Sequence, residues 1–104
     1  MLKKSTGPSY DLAHLQQLIG KSDTRIITRT AYLEAAALGY AGAADIVAVI
    51  KQINPQDFFK TMPAHKDPGR WQDVYRIWAN GVELYVKLQL SVNGIGVVIQ
   101  FKRK

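Results

Sequence analysis

The chain of 104 residues has no cysteine, which excludes a disulfide framework, a thiolate zinc site and a thiol nucleophile. Its two histidines, His14 and His65, are 51 positions apart and no HxxxH or HExxH spacing occurs, so neither a metal nor another cofactor is expected. Glycine-rich phosphate loops, a carboxylate pair suited to glycoside chemistry and an assignable Ser-His-Asp set are also missing. No apolar run approaches the roughly eighteen residues of a bilayer span. Lys3 and Lys4 are followed by no apolar stretch of the secretory kind, so a cytoplasmic chain is expected. Acidic residues are scarce as well, 8 against 14 lysines and arginines, for a formal net charge of +6.

What is present is an ordinary globular balance, 47% hydrophobic and 21% charged, in a length that fits a single domain over 1–104. The charge is unevenly placed. The first fifty residues carry five basic and four acidic side chains, and the rest carry nine and four. A positive half-domain of this kind points to a polyanionic partner, above all nucleic acid.

The pattern along the chain divides it into a helical half, about 9–62, and a sheet half, about 71–102. Residues 1–8 read as a basic arm ending in Gly7-Pro8. Ser9 is positioned to cap a helix carrying Leu12, Leu15, Leu18 and Ile19 on one stripe, with Gly20 as its stop. Lys21 to Thr28 reads as a polar connection anchored by buried Ile26 and Ile27. Thr28 or Thr30 opens an alanine-rich helix through Leu38, with Gly39 at the position after its end, and Ala43 to Ile53 forms a third helix. Asn54-Pro55 predicts a short helical turn from Pro55 to Met62, followed by a loop from Pro63 to Gly69.

Beyond the loop the period becomes two. Val82, Leu84, Val86, Leu88, Leu90 and Val92 alternate with Glu83, Tyr85, Lys87, Gln89 and Ser91, the mark of a strand with one wet face. Asn80-Gly81 and Asn93-Gly94 supply hairpin turns on either side. The expected architecture is α+β: an antiparallel meander of Trp71–Ala79, Val82–Val92 and Ile95–Lys102, covered on one face by the N-terminal helices.

If both turns are two-residue loops, Ala79 opposes Val82 and Val92 opposes Ile95. Tyr85 then lies between Arg76 and Lys102 in one row, on the face away from the helices, with neighbours about 5 Å apart. Lys87 falls one row along, opposite Gln100, and Gln72, Val74 and Trp78 share the face. Trp71 and Trp78, at the ends of a strand, are candidates for stacking on bases. A cationic and phenolic set with an amide suits RNA cleavage by the ribose 2′-hydroxyl. That reaction needs a proton removed, a phosphorane charge held and a proton delivered to the 5′-oxygen. Lysine, arginine and tyrosine titrate near pH 10 and above, so a base among them needs a pKa lowered by neighbouring cations. The same residues also describe the wet face of any half-exposed sheet. On pattern alone, a non-catalytic RNA- or DNA-binding module and a domain docking an acidic protein remain open beside the enzyme.

Four stretches carry a further signal: Asp57-Phe58-Phe59-Lys60-Thr61-Met62, Trp71-Gln72-Asp73-Val74-Tyr75-Arg76, Leu84-Tyr85-Val86-Lys87 and the terminal Phe101-Lys102-Arg103-Lys104. With Thr28-Arg29-Thr30-Ala31 and Leu38-Gly39, they resemble the motility quorum-sensing regulator (MqsR) family of mRNA interferase toxins over nearly the whole chain. The resemblance implies a RelE-like fold and ribosome-independent cleavage of single-stranded mRNA, with a GCU preference in the family. It implies catalytic roles for Lys60, Gln72, Tyr85 and Lys102, beside substrate contacts from Arg76, Lys87 and Trp71. Phe59 departs from the family's usual tyrosine. A cognate MqsA-like antitoxin is also implied, with a zinc-containing N-terminal domain and a helix-turn-helix C-terminal domain. The zinc belongs to that partner.

Overall fold

A computed structural model describes residues 7–66 and 69–104. The basic arm expected over 1–8 lies outside the described residues except for Gly7 and Pro8, as do Asp67 and Pro68 of the predicted loop. Three helices and five strands follow one another as α1 (Leu12–Ile19), β1 (Arg25–Ile27), α2 (Arg29–Ala37), α3 (Ala43–Ile50), β2 (Phe58–Pro63), β3 (Trp71–Ala79), β4 (Val82–Leu90) and β5 (Gly96–Arg103). The strands form one sheet in the order β1-β5-β4-β3-β2. All pairs are antiparallel except β1 with β5. The expected α+β class holds, with the meander extended by one strand at each edge.

Both added strands correct the sequence reading. Arg25–Ile27 is a strand rather than a polar connection, and of its supposed buried pair only Ile27 packs on the core while Ile26 is 51% exposed. The segment expected as a helical turn from Pro55 to Met62 is a 3-10 turn at Pro55–Asp57 that passes directly into β2. Short edge strands lack the long alternation that identifies a central strand, and proline at the start of a helix predicts only its first turn. The third helix ends at Ile50, short of Ile53.

The helix starts follow from capping chemistry. Asp11, not Ser9, caps α1 by accepting the Ala13 N–H at 3.1 Å. Ser9 is used elsewhere: its N–H and that of Tyr10 each donate at 3.0 Å to the buried Asp73 carboxylate, which ties the incoming chain to β3. Thr28 caps α2 by accepting the Ala31 N–H, and its hydroxyl donates to the Ile99 carbonyl at 2.9 Å. Glu34, two turns on, accepts the Phe101 N–H at 3.0 Å. Helix α2 thus supplies side-chain partners to the part of β5 that the short β1 does not reach, and closes that edge.

The core lies between the helices and one face of the sheet. Leu15 and Ile19 of α1, Ala31 and Ala35 of α2, and Ile46 and Ile50 of α3 pack over Tyr75, Leu84, Val86, Leu88, Val98 and Phe101. The close seat of α1 depends on Gly96, because a Cβ there would lie 2.9 Å from Ile19 Cγ1 and 3.0 Å from Leu18 Cβ.

The first hairpin is as expected: Asn80 (φ 53°) and Gly81 (φ 78°) make a two-residue turn of the type whose twist suits a hairpin. Arg76 faces Tyr85. The second turn is longer than expected. Ser91 N–H bonds to the Ile95 carbonyl at 2.9 Å, so Val92, Asn93 and Gly94 form a three-residue loop with Gly94 at φ 80°, and the strands end at Leu90 and Gly96. That shifts the pairing by one residue, to Leu88 with Val98. A bulge at Ile99 then restores the expected step, so that Lys87 faces Gln100 and Tyr85 faces Lys102.

Tyr75 is fully buried, and its hydroxyl has no hydrogen-bond partner among the described residues. Burial, with the Asp73 and Asp11 carboxylates adding to it, pushes its pKa up to about 12. The folded state therefore holds this proton more tightly than the unfolded chain. The resulting stability is complete below pH 10 and is lost as pH climbs towards about 12. Tyr75→Phe should leave neutral stability unchanged or raised and blunt alkaline unfolding over that range, whereas Tyr75→Ala should cost about 3–5 kcal/mol, both read from denaturant titrations. Gly96→Ala should cost about 1–3 kcal/mol in the same assay by lifting α1 from β5.

Candidate active site

The face of the sheet away from the helices carries the polar positions of β3, β4 and β5 in rows set by the ladder. One row is Arg76, Tyr85 and Lys102. The next is Lys60, Val74, Lys87 and Gln100, spanning all four antiparallel strands. Beyond it Gln72 Nε2 donates to Gln89 Oε1 at 2.8 Å. Lys60, which the sequence left in a helical turn, reaches this face only because Phe58–Pro63 is a strand paired with β3.

A bulge between Phe58 and Lys60 turns Phe59 out of the ladder. Its ring then lies against two cations, with Arg76 Cζ 4.8 Å and Lys60 Nζ 5.5 Å from the centroid. Such contacts contribute about 0.5–1 kcal/mol at exposed sites and here hold both heads in place. Arg76 Nε also donates to Glu83 Oε2 at 3.0 Å. Lys102 Nζ sits 5.1 Å from the centre of the Tyr85 ring. Sequence reasoning treated Phe59 as a departure from pattern. The bulge that gives it this position has no sequence signature.

Lys87 is at the middle of the rows and is half-buried. Burial first, then the charges of Lys102 and Lys60, lower its pKa from the ordinary lysine value of 10.5, against a weaker opposite pull from Glu34. The Lys87 stem lies directly across the ladder from Val74, which is fully buried.

Lys60, Gln72, Tyr85, Lys102, Arg76 and Lys87 therefore share one face. Trp71 does not join them: the alternation of β3 puts it on the side opposite Gln72, where its carbonyl accepts the Tyr10 hydroxyl at 2.7 Å and its ring is partly exposed. Trp78, two residues along β3 from Arg76 and 69% exposed, lies on the same face.

Beside the rows lies an open recess of about 700 Å³. Its floor includes Gln72, Lys87, Gln89 and Gln100, and its walls are the start of α2 and the segment Met62 to Lys66. Another of about 760 Å³ lies on the helical side, against α1 and Lys51, and contains none of the clustered residues. Among the described residues, no three of His, Asp and Glu gather as metal ligands would, and no helix is long and apolar enough to cross a membrane.

Clustered amines destabilise the fold that holds them. Because Lys87 has a lower pKa folded than unfolded, the cost is complete below the lowered value and fades as pH rises through it towards 10.5. Lys87→Met keeps the stem beside Val74 and removes the charge. It should raise the thermal midpoint at neutral pH, by less in high salt and by less above pH 10, as measured by scanning calorimetry.

Comparison with known proteins places the chain in a family. The chain is similar to the mRNA interferase toxin MqsR of Escherichia coli (strain K12), with 28% identity over 99 residues covering 93% of this chain and 95% of the relative. The family described as "Motility quorum-sensing regulator, toxin of MqsA" matches residues 7–103. With the match spanning nearly every residue from the start of the described chain to the end of β5, the protein belongs to the MqsR toxin family.

Proposed function

We propose that this chain is the toxin of a toxin–antitoxin pair, an endoribonuclease that cuts single-stranded mRNA without ribosome or metal. Its cognate antitoxin would be the MqsA-like protein named in the family's description. The observation that carries the proposal is the pair of neighbouring rows, Arg76-Tyr85-Lys102 and Lys60-Lys87-Gln100, on an uncovered sheet face. Apart from Val74, every side chain in those rows is a cation, a phenol or an amide, the set that charge stabilisation and proton transfer at a phosphodiester require.

In the proposed reaction the ribose 2′-oxygen loses its proton to a base and forms a bond to phosphorus. The bond from phosphorus to the 5′-oxygen then breaks, and that oxygen takes up a proton. The products are a 2′,3′-cyclic phosphate and a 5′-hydroxyl. Tyr85, with the Lys102 ammonium against its ring, handles one proton. Lys102 and Lys60 hold the phosphorane's non-bridging oxygens, with Lys60 also able to serve as a proton carrier. Arg76, braced by Phe59 and Glu83, binds the phosphate backbone. Gln72 orients the nucleotide at the cut. Lys87, its proton held less tightly than an isolated lysine's, supports delivery of a proton to the leaving oxygen. Trp78 offers an exposed ring for a flanking base.

Purified protein incubated with labelled single-stranded RNA in EDTA should produce discrete cuts ending in 2′,3′-cyclic phosphate. Tyr85→Phe should lower the rate by about 10²–10⁴-fold, the usual contribution of a positioned proton carrier. Lys60→Ala should abolish turnover while RNA still shifts on a gel. RNA that is bound in a salt-dependent manner but never cut would instead make the chain a binding module.

A further inference from the structure

The recess shares Lys87 and Gln100 with the neighbouring row and carries His65 and Lys66 on one wall, but the rest of its lining differs from the cationic rows in kind. Met62, Pro63, Ala64 and Ile99 give it apolar surfaces, whereas Gln72, Gln89 and Gln100 give it amides. Among the described residues no carboxylate lines it. Flat apolar surfaces with polar groups at the edges match the chemistry of a nucleobase, whose faces stack and whose edges carry donors and acceptors. Its volume of about 700 Å³ falls in the range of small-molecule sites.

The amides are held in a defined orientation. Gln72 is buried and commits an N–H to Gln89 Oε1 at 2.8 Å, which leaves the Gln72 carbonyl to accept and the Gln89 amino group to donate. A hydrogen-bonded amide pair that still offers both an acceptor and donors suits recognition of a base edge. A freely turning amide would fit either polarity and would discriminate poorly. Lys87 belongs to both the recess and the Lys60-Lys87-Gln100 row, so a nucleotide in the recess would neighbour the phosphate under attack.

We infer that this recess is the specificity site of the enzyme: it takes one nucleobase of the single-stranded RNA next to the scissile phosphate, and the Gln72–Gln89 pair reads its edge. The inference rests on the nuclease reading above and deepens it. Phosphate contacts on the cationic rows fix position but carry no sequence information, so the preference must come from a site of this second kind.

The test uses the full chain and a pool of single-stranded RNAs randomised around a fixed segment, with cut sites mapped for wild type, Gln89→Leu and Gln89→Glu. Circular dichroism checks that each variant is folded. Wild type should favour particular bases around the cut. Gln89→Leu should relax that preference by about 5- to 100-fold at one position and leave the other positions unchanged. Gln89→Glu, which keeps the size and acceptor but loses the donor, should change the favoured base at the same position. Folded variants that cut more slowly with an unchanged preference at every position would overturn the inference, while leaving the nuclease reading intact. Wild-type protein that cuts no RNA in the pool would overturn both.

Discussion

The arrangement depends on the register of β4 between its two antiparallel neighbours. Leu84, Val86 and Leu88 must face the helices, and a slip of one residue would put Tyr85, Lys87 and Gln89 into the core instead. The energy of burying one side of β4 therefore fixes the position of the polar groups on the other. On β5 the register is kept by two opposite irregularities. The three-residue loop at Val92-Asn93-Gly94 shifts the ladder by one step, and the bulge at Ile99 shifts it back before Gln100 and Lys102 are reached. The carbonyl freed at the bulge takes the Thr28 hydroxyl, which is also the cap of α2. One side chain thus couples the start of a helix to the register of the cationic rows.

The uncovered face gathers positive charge at a cost to the fold. Lys87 carries the clearest sign of that cost, since burial and two neighbouring ammonium groups both oppose its charge. The cost is tolerable because it is met on an exposed face with a well-packed core behind it, and because the surrounding groups are restrained. Phe59 lies against Arg76 and Lys60, Glu83 holds Arg76, and the Tyr85 ring faces Lys102. These contacts restrain the cations, the kind of pre-organisation that electrostatic stabilisation of a transition state would need. The recess beside them shares Lys87 with the cationic rows but is lined mainly by amide, hydroxyl and apolar side chains.

Much of the sheet was legible from residue order. The alternation from Val82 to Leu90 identifies a strand with one wet face, and Asn80-Gly81 encodes a two-residue turn because both residues accept positive φ. From these alone Arg76 falls opposite Tyr85. Lys102 reached its expected place for a different reason, since the turn was longer than assumed and the bulge compensated for it. The edge strands were not legible. β1 has three residues, too few for a period, and β2 follows a proline turn whose local signal is helical. Missing β2 meant that Lys60 could be assigned to the site only through a family motif. Trp71 belongs to a recognisable motif, and strand alternation places it on the face opposite Gln72.

By itself, then, the amino-acid sequence determined the class of the fold, the central hairpin, the positive face and the family, because these follow from periodicity, turn chemistry, composition and short motifs that are local in the chain. The tertiary structure alone decided that β2 brings Lys60 beside Lys87, that Phe59 lies between two cations, and that Gln72 locks to Gln89 at the floor of a recess. Each of these joins residues across strands through a bulge or an edge pairing. Such pairings are set by packing of the whole sheet against its helices, and no local stretch of sequence encodes them.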